Sequence, residues 1–242
     1  MCSVSWQQEQ DEIVVCFNRD EQRTRAIAES PKVYRESSTQ VIMPTDPDGG
    51  GTWISVNQYG VFLGLLNFYE ANIGNKSQEI LVGSYISRGL LIRELSCCEN
   101  LSDFEVMLSP DNLKQYQPFK IIFISKNAKK LFVWNGVILS NNVLDNFISS
   151  SSFNTQSVLK YRYKQFEQAE NDLLKLHTDH TDRKDAYSIC MHRDDAKTVS
   201  LSVIKIDNSE VSFQYWDGAP CSCQPSETIS LVIDEKKTSQ NV

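Results

Sequence analysis

No apolar run in the sequence approaches the roughly 18 residues that a membrane helix needs, so a helical span is excluded. The first dozen residues, MCSVSWQQEQDE, contain no apolar core of the kind a secretory signal carries. Basic residues are outnumbered: 24 Lys and Arg face 31 Asp and Glu, a net charge of −7. That balance repels nucleic-acid phosphates and anionic lipid heads, and it favours solubility. The seven cysteines are odd in number and have no secretory context, so they are read as thiols in a reducing compartment. There is no internal repeat and no long linker, since the four serines at 149–152 are too few to form one. The expectation is a soluble cytoplasmic protein. A single domain covers 1–235, and residues 236–242 form a frayed tail.

What the chain does contain is β-branched and aromatic residues in blocks. Strands are expected at Ile13–Phe17, Thr52–Val56, Val61–Asn67, Phe119–Ser125, Lys130–Trp134, Ala186–Met191, Thr198–Ile206, Glu210–Tyr215 and Thr228–Ile233. Several are apolar at consecutive positions, as in Ile13-Val14-Val15-Cys16-Phe17, and a strand of that kind is covered on both faces. Helices are expected over Glu79–Ser96, after a capping box at Ser102-Asp103-Phe104-Glu105, and over Thr155–His177 with Leu159, Tyr163, Phe166, Leu173 and Leu174 as its stripe. Strands in blocks with few helices between them do not make a regular βαβ repeat. They point to an α+β layered sandwich with stacked sheets and helices outside.

The chemistry concentrates at the N-terminus. A small residue in second place normally permits removal of Met1. Cys2 would then carry a thiol and a free α-amine together, with unperturbed pKa values near ~8.5 and ~7.7–8.0. Such an amine is a suitable general base at neutral pH, so one residue can supply both nucleophile and base. The run Asn18-Arg19-Asp20-Glu21 ends a buried strand, where a cation beside the thiol would favour thiolate and Asp20 can orient the amine. A hairpin or neighbouring strand must return this run to Cys2. Gly49-Gly50-Gly51-Thr52-Trp53 allows close backbone approach to a ligand. Asn67 ends another buried strand with an amide able to stabilise an oxyanion.

Cys2, Asn18-Arg19-Asp20-Glu21, Gly50-Gly51-Thr52-Trp53 and Leu66-Asn67 resemble the signature of the NRDE family, also called the transport and Golgi organisation protein 2 family. The resemblance implies the N-terminal-nucleophile (Ntn) hydrolase fold, a four-layer αββα sandwich of two stacked, mainly antiparallel sheets, in which relatives cleave unstrained amides. Carried over, the catalytic roles fall on Cys2, Arg19, Asp20 and Asn67. Substrate binding falls on Asn18, Gly51, Thr52, Trp53, Ser151, His192 and Arg193. Two departures stand out. Ser151 occupies the place usually held by Asn, and Lys197-Thr198-Val199-Ser200 lacks the Arg of a Thr-Arg-Thr segment. Arg193 is then the substitute cation.

Other groups have plainer readings. His177, Asp179, His180 and Asp182 have a metal-like spacing but sit in a polar helix end and loop, so no metal site is expected. Cys97-Cys98 and Cys221-Ser222-Cys223 lack second halves for a zinc site. His192 can assist the Cys2 thiol, ligate a haem iron, or be hydrogen-bonded structure. Two functions therefore stand side by side. One is a cysteine amidohydrolase acting on a small-molecule amide other than a standard peptide bond. The other is a non-catalytic carrier of haem or an acyl-CoA or lipid ligand, as family links to haem trafficking and lipid metabolism imply. No cofactor is required in either, haem being a possible ligand, and neither nucleic acid nor an integral membrane is an expected partner.

Overall fold

A computed structural model describes residues 1–73, 85–180 and 183–234. The first half of the helix expected over Glu79–Ser96 lies largely outside the described residues, as do Asp182 and the expected frayed tail. The described strands are β1 (Cys2–Glu9), β2 (Glu12–Gln22), β3 (Glu29–Glu36), β4 (Thr39–Thr45), β5 (Ile54–Asn57), β6 (Phe62–Asn67), β7 (Phe119–Ile124), β8 (Lys129–Trp134), β9 (Leu139–Val143), β10 (Phe147–Ser150), β11 (Ala196–Ile206), β12 (Glu210–Asp217) and β13 (Ile229–Val232). The described helices are α1 (Arg88–Leu95), α2 (Leu101–Met107), α3 (Pro110–Leu113), α4 (Thr155–Gln168) and α5 (Leu173–Thr178), with a 3₁₀ turn at Tyr69–Ile73. No described helix is long and apolar enough to cross a membrane.

The chain forms two compact units. One comprises Met1–Ala26 and Asp145–Ser230, and the other Ile27–Leu144 and the segment from Leu231. The first carries a sheet of order β10-β1-β2-β11-β12-β13, the second a sheet of order β3-β4-β5-β6-β7-β8-β9. The strand pairs within them are antiparallel. Helices α4 and α5 pack against β10 and β2 of the first sheet, and α1 against β5 and β6 of the second. Each unit is therefore a sheet layered with helix.

In the second unit, Leu63, Leu65, Ile121, Phe123, Phe132 and Trp134 alternate along β6, β7 and β8 and meet Leu91, Ile92, Leu95 and Phe104 of α1 and α2. The intervening Phe62, Leu66, Ile122 and Ile124 are buried as well. This is the burial on both faces that the continuous apolar runs imply. Gly51 belongs to the same packing. A Cβ there would meet the Gly89 carbonyl oxygen at 2.6 Å, and Thr52 N–H donates to that oxygen at 3.0 Å.

Three element expectations need correction. The box at Ser102 is displaced: Asn100 caps α2, its side chain accepting from Asp103 N–H at 3.0 Å. The long helix over Thr155–His177 breaks in two, because Glu170 and Asn171 take left-handed backbone conformations and Asp172 caps α5. The buried residues are Val158 and Arg162 in α4 and Leu173, Leu176 and His177 in α5, so Leu173 of the expected stripe is buried whereas Tyr163 and Leu174 are exposed. Ala186–Met191 forms turns and bends instead of a strand.

Candidate active site around Cys2

The hairpin β1–β2 turns at Gln10, held at φ 51°. Its register places Cys2 opposite Arg19. On its other side Cys2 is opposite Ser150 of β10. The next strand sets Thr198 opposite Asp20 and, past a bulge, Ser200 opposite Arg19. The bulged residue is Val199, in the stretch where the family pattern has an Arg.

Strand alternation separates these residues by face. Ser3, Asn18, Asp20, Ser149 and Thr198 share the face covered by α4 and α5. Cys2, Arg19, Ser150 and Ser200 share the other.

On the helical face the polar groups bond one another, with Arg162 Nε alone of this cluster left without a hydrogen-bond partner. Arg162, fully buried, donates through Nη1 to Ser3 Oγ at 2.9 Å and Ser149 Oγ at 3.0 Å. Both its Nη atoms lie 3.4 Å from Asp20 Oδ2. Thr198 Oγ1 donates to Asp20 Oδ1 at 2.6 Å and accepts from Met191 N–H at 2.8 Å. Burial pushes the Asp20 carboxyl up from its usual range, with the Arg162 charge, the terminal ammonium and the Thr198 bond opposing. Ser149 Oγ donates to the Cys2 carbonyl at 3.0 Å, which links the buried cluster to the nucleophile's own peptide.

Asn18 was grouped above with substrate binding, but its side chain is committed to structure. Its Nδ2 donates to the carbonyls of His177 at 2.9 Å and Ile189 at 3.1 Å. Its Oδ1 must therefore accept from His177 Nδ1–H at 3.1 Å, which leaves Nε2 to accept from Ser5 Oγ at 2.8 Å. Burial, helped by the Arg162 charge, lowers the His177 pKa to about 3. The ring is thus neutral in the fold and basic in the unfolded chain, where it titrates near ~6.5. The unfolded state binds the extra proton between these values, so stability declines as pH falls from about 6.5 toward about 3. At pH 5 the loss from this group is about 2 kcal/mol relative to neutral pH. Denaturant melts at pH 7.5 and pH 5 should show a shallower acid decline in His177→Gln than in wild type. Equal declines would exclude this role.

On the Cys2 face, Cys2 N–H donates to Ser150 Oγ at 3.1 Å. Met1 continues the ladder. Its carbonyl accepts from Asp20 N–H at 2.8 Å, and its ammonium donates to the Asp20 carbonyl at 3.1 Å. The Met1 side chain itself falls on the helical face, one residue out of phase with Cys2, and packs on Val158, Ala186, Met191 and Ala196. Its sulfur accepts from Ser151 Oγ at 3.2 Å. Desolvation pushes the Cys2 thiol up, while the terminal ammonium, an Asp20 backbone bond and Arg19 pull it down. Arg19 is nearly buried and contacts Glu21 at 3.4 Å.

Other expected residues lie elsewhere. His192 Nε2 is 3.1 Å from Cys221 Sγ and 3.6 Å from Cys190 Sγ. Arg193 pairs with Asp195 at 2.6 Å and stacks on Phe153. In the second unit, Thr52 Oγ1 donates to the Ile54 carbonyl at 2.8 Å, Trp53 is buried, and Asn67 Nδ2 donates to Tyr69 Oη at 2.8 Å at the end of β6. Ser149, Ser150, Arg162 and Thr198 were missed. The one sequence signal for them was a serine run closing an apolar strand.

Solved structures share this architecture. A Caenorhabditis elegans N-acylethanolamine-hydrolyzing acid amidase ortholog aligns with TM-score 0.57 and 13% identity over 84% of this chain and 92% of its own. A cysteine-to-alanine variant of the conjugated bile acid hydrolase from Clostridium perfringens aligns with TM-score 0.51 and 12% identity, covering 94% and 92%. Penicillin V acylase from Agrobacterium tumefaciens aligns with TM-score 0.51 and 8% identity, covering 98% and 87%. The fold is thus that of the Ntn hydrolases, as the N-terminal pattern implied. Among curated proteins none matches the chain. The family model described as Transport and Golgi organisation 2 matches residues 1–214, and the chain belongs to that family.

Proposed function

We propose that loss of Met1 converts Cys2 into the N-terminal nucleophile of an amidohydrolase acting on non-peptide C–N amide bonds. The observation that carries this reading is the double use of Met1. Its removal turns the Cys2 N–H that faces Ser150 Oγ into an amine, and it releases Asp20 N–H from the Met1 carbonyl. The amine takes the thiol proton and the sulfur attacks the amide carbon. The freed Asp20 N–H is placed to bond the resulting oxyanion. The leaving amine departs protonated, and water then hydrolyses the thioester. Arg19 and the new ammonium favour the thiolate against desolvation. The names of the structural neighbours, an amidase, a bile acid hydrolase and an acylase, support this class of reaction. Roles for Asn67 as a further oxyanion donor, and for Gly51, Thr52 and Trp53 in binding, rest on the family pattern. The seven free thiols suit a reducing, cytoplasmic setting.

The test compares untagged protein with and without Met1, each verified by intact mass, on a panel of N-acyl amides. Turnover should be confined to the Met1-free form. Equal rates in the two forms would remove the mechanism.

One observation favours a second reading, a carrier of an apolar anion such as haem or an acyl-CoA. Val199 stands where an active-site cation is missing. Saturable micromolar binding by a Met1-free chain that turns nothing over would support the carrier.

A further inference from the structure

Three soft or borderline donors converge in the first unit, outside the Cys2 site, and a fourth, Cys190, touches two of them. Ligand atoms of His180, His192 and Cys221 all lie within 4.8 Å of one another. Cys190 Sγ is 3.6 Å from His192 Nε2 and is in hydrogen-bonding contact with Cys221. The rings of His180 and His192 meet edge to face with centroids 5.4 Å apart.

From these positions we infer a tetrahedral zinc site made by Cys190, His192, Cys221 and His180. Zinc–sulfur and zinc–nitrogen bonds of ~2.3 and ~2.0–2.1 Å at tetrahedral angles separate sulfur from nitrogen by about 3.6 Å. The Cys190–His192 separation, 3.6 Å, matches that edge, and the Cys221–His192 separation, 3.1 Å, is shorter, so the exposed Cys221 loop would move outward by about half an ångström on binding. Charge also agrees. The positive charges of Arg23, Lys184 and Lys197 act on His192. Two thiolates and two neutral imidazoles around Zn²⁺ add no net charge beside these cations, whereas a bare dication would be repelled. Thiolate and imidazole together select zinc over magnesium or calcium, which prefer oxygen ligands.

The site has a structural consequence. It ties together three segments: the end of α5, the stretch before β11 and the loop after β12. Met191, between two of the ligands, donates its N–H to Thr198 Oγ1, and Thr198 holds Asp20. Zinc would therefore fix the stretch that orients Asp20 and lines the Met1 niche. This does not depend on the amidohydrolase reading.

The test uses the full, untagged, reduced chain with Co²⁺ as the optical probe and Zn²⁺ as competitor. The expected result is one metal per chain, with a thiolate-to-cobalt charge-transfer band and the visible bands of a tetrahedral site. Zinc in hundredfold excess over its Kd should raise the Tm by about 5–10 °C. Cys221→Ser, in an exposed loop, and His192→Ala should each weaken binding by about 100-fold or more. Cys2→Ala and Cys97→Ser should leave it intact. The site is overturned by the absence of a charge-transfer band, or by undiminished binding in Cys221→Ser and His192→Ala. Recovery of a Cys190–Cys221 disulfide whose reduction restores no metal binding would also overturn it.

Discussion

Cys2→Ala should lose amide turnover by about 10³-fold or more, with little change in stability. A nucleophile that forms the covalent intermediate has no replacement in the same place, so its removal leaves only substrate binding and oxyanion contacts. Cys2 is half-buried, and its backbone bonds to Ser150 and Ser149 do not involve the sulfur. Alanine therefore preserves the ladder and keeps a residue small enough for Met1 removal. Cys2→Ser is the useful companion. It keeps the amine and a weaker nucleophile, so it should show slow turnover or trapped acyl-enzyme while alanine shows neither. The comparison also bears on charge. In the Met1-free protein the ammonium sits on Cys2 itself, and thiol alkylation at a fixed pH should be faster than in the Met1-bearing form. An alanine variant as active as wild type would end the nucleophile assignment.

The fold was legible where the sequence is apolar and local. Ile13–Phe17, Phe62–Leu66 and Ile121–Ile124 appear as strands in the text and in the structure, because burial on both faces leaves no polar alternation to obscure them. Strands β1 and β3 were not foreseen. Cys2–Glu9 is mostly polar, and Glu29–Glu36 contains Pro31, which argues against a strand except at a sheet edge or a bulge. β3 is at the edge of its sheet. Both strands exist because of their neighbours, and a single sequence does not show neighbours.

The candidate site divides in the same way. Cys2 was legible from its place after Met1, Arg19 and Asp20 as charges that end an apolar run, and the hairpin that joins them spans a two-residue turn. Arg162 was not, because its partner Asp20 lies 142 residues away and its helix was assigned a different buried stripe. The serines at 149–152 were read as too short a run for a linker, and only Ser151 was given a role in the site. Three of them make different contacts: Ser149 with the Cys2 carbonyl, Ser150 with its N–H, and Ser151 with Met1. His177 looked like a loop residue with metal-like spacing, yet it is a neutral core histidine. The zinc ligands escaped because Cys221 lies 29 residues from His192 and has no paired cysteine motif.

Arg162→Met should destabilise the protein by about 3–5 kcal/mol, the usual consequence of leaving one member of a buried ion pair uncompensated. Arg162 and Asp20 are both fully enclosed, at 0% side-chain exposure, so water cannot replace the lost partner. For a chain of this size the Tm should fall by about 6–20 °C. Methionine keeps most of the volume and all of the helix propensity, which isolates the charge from cavity formation. Asp20→Asn combined with Arg162→Met should recover much of the loss, since the orphaned carboxylate is then gone. Ser3 and Ser149 would still lack the Nη1 donor. Arg162 is also a positioning residue for the proposed reaction. Asp20 anchors the strand end whose backbone N–H faces Cys2, so Arg162→Met should reduce kcat more than it raises KM at temperatures where it remains folded. A stability loss below about 1 kcal/mol, within the range of an exposed pair, would show that the Arg162–Asp20 contact does not organise the site.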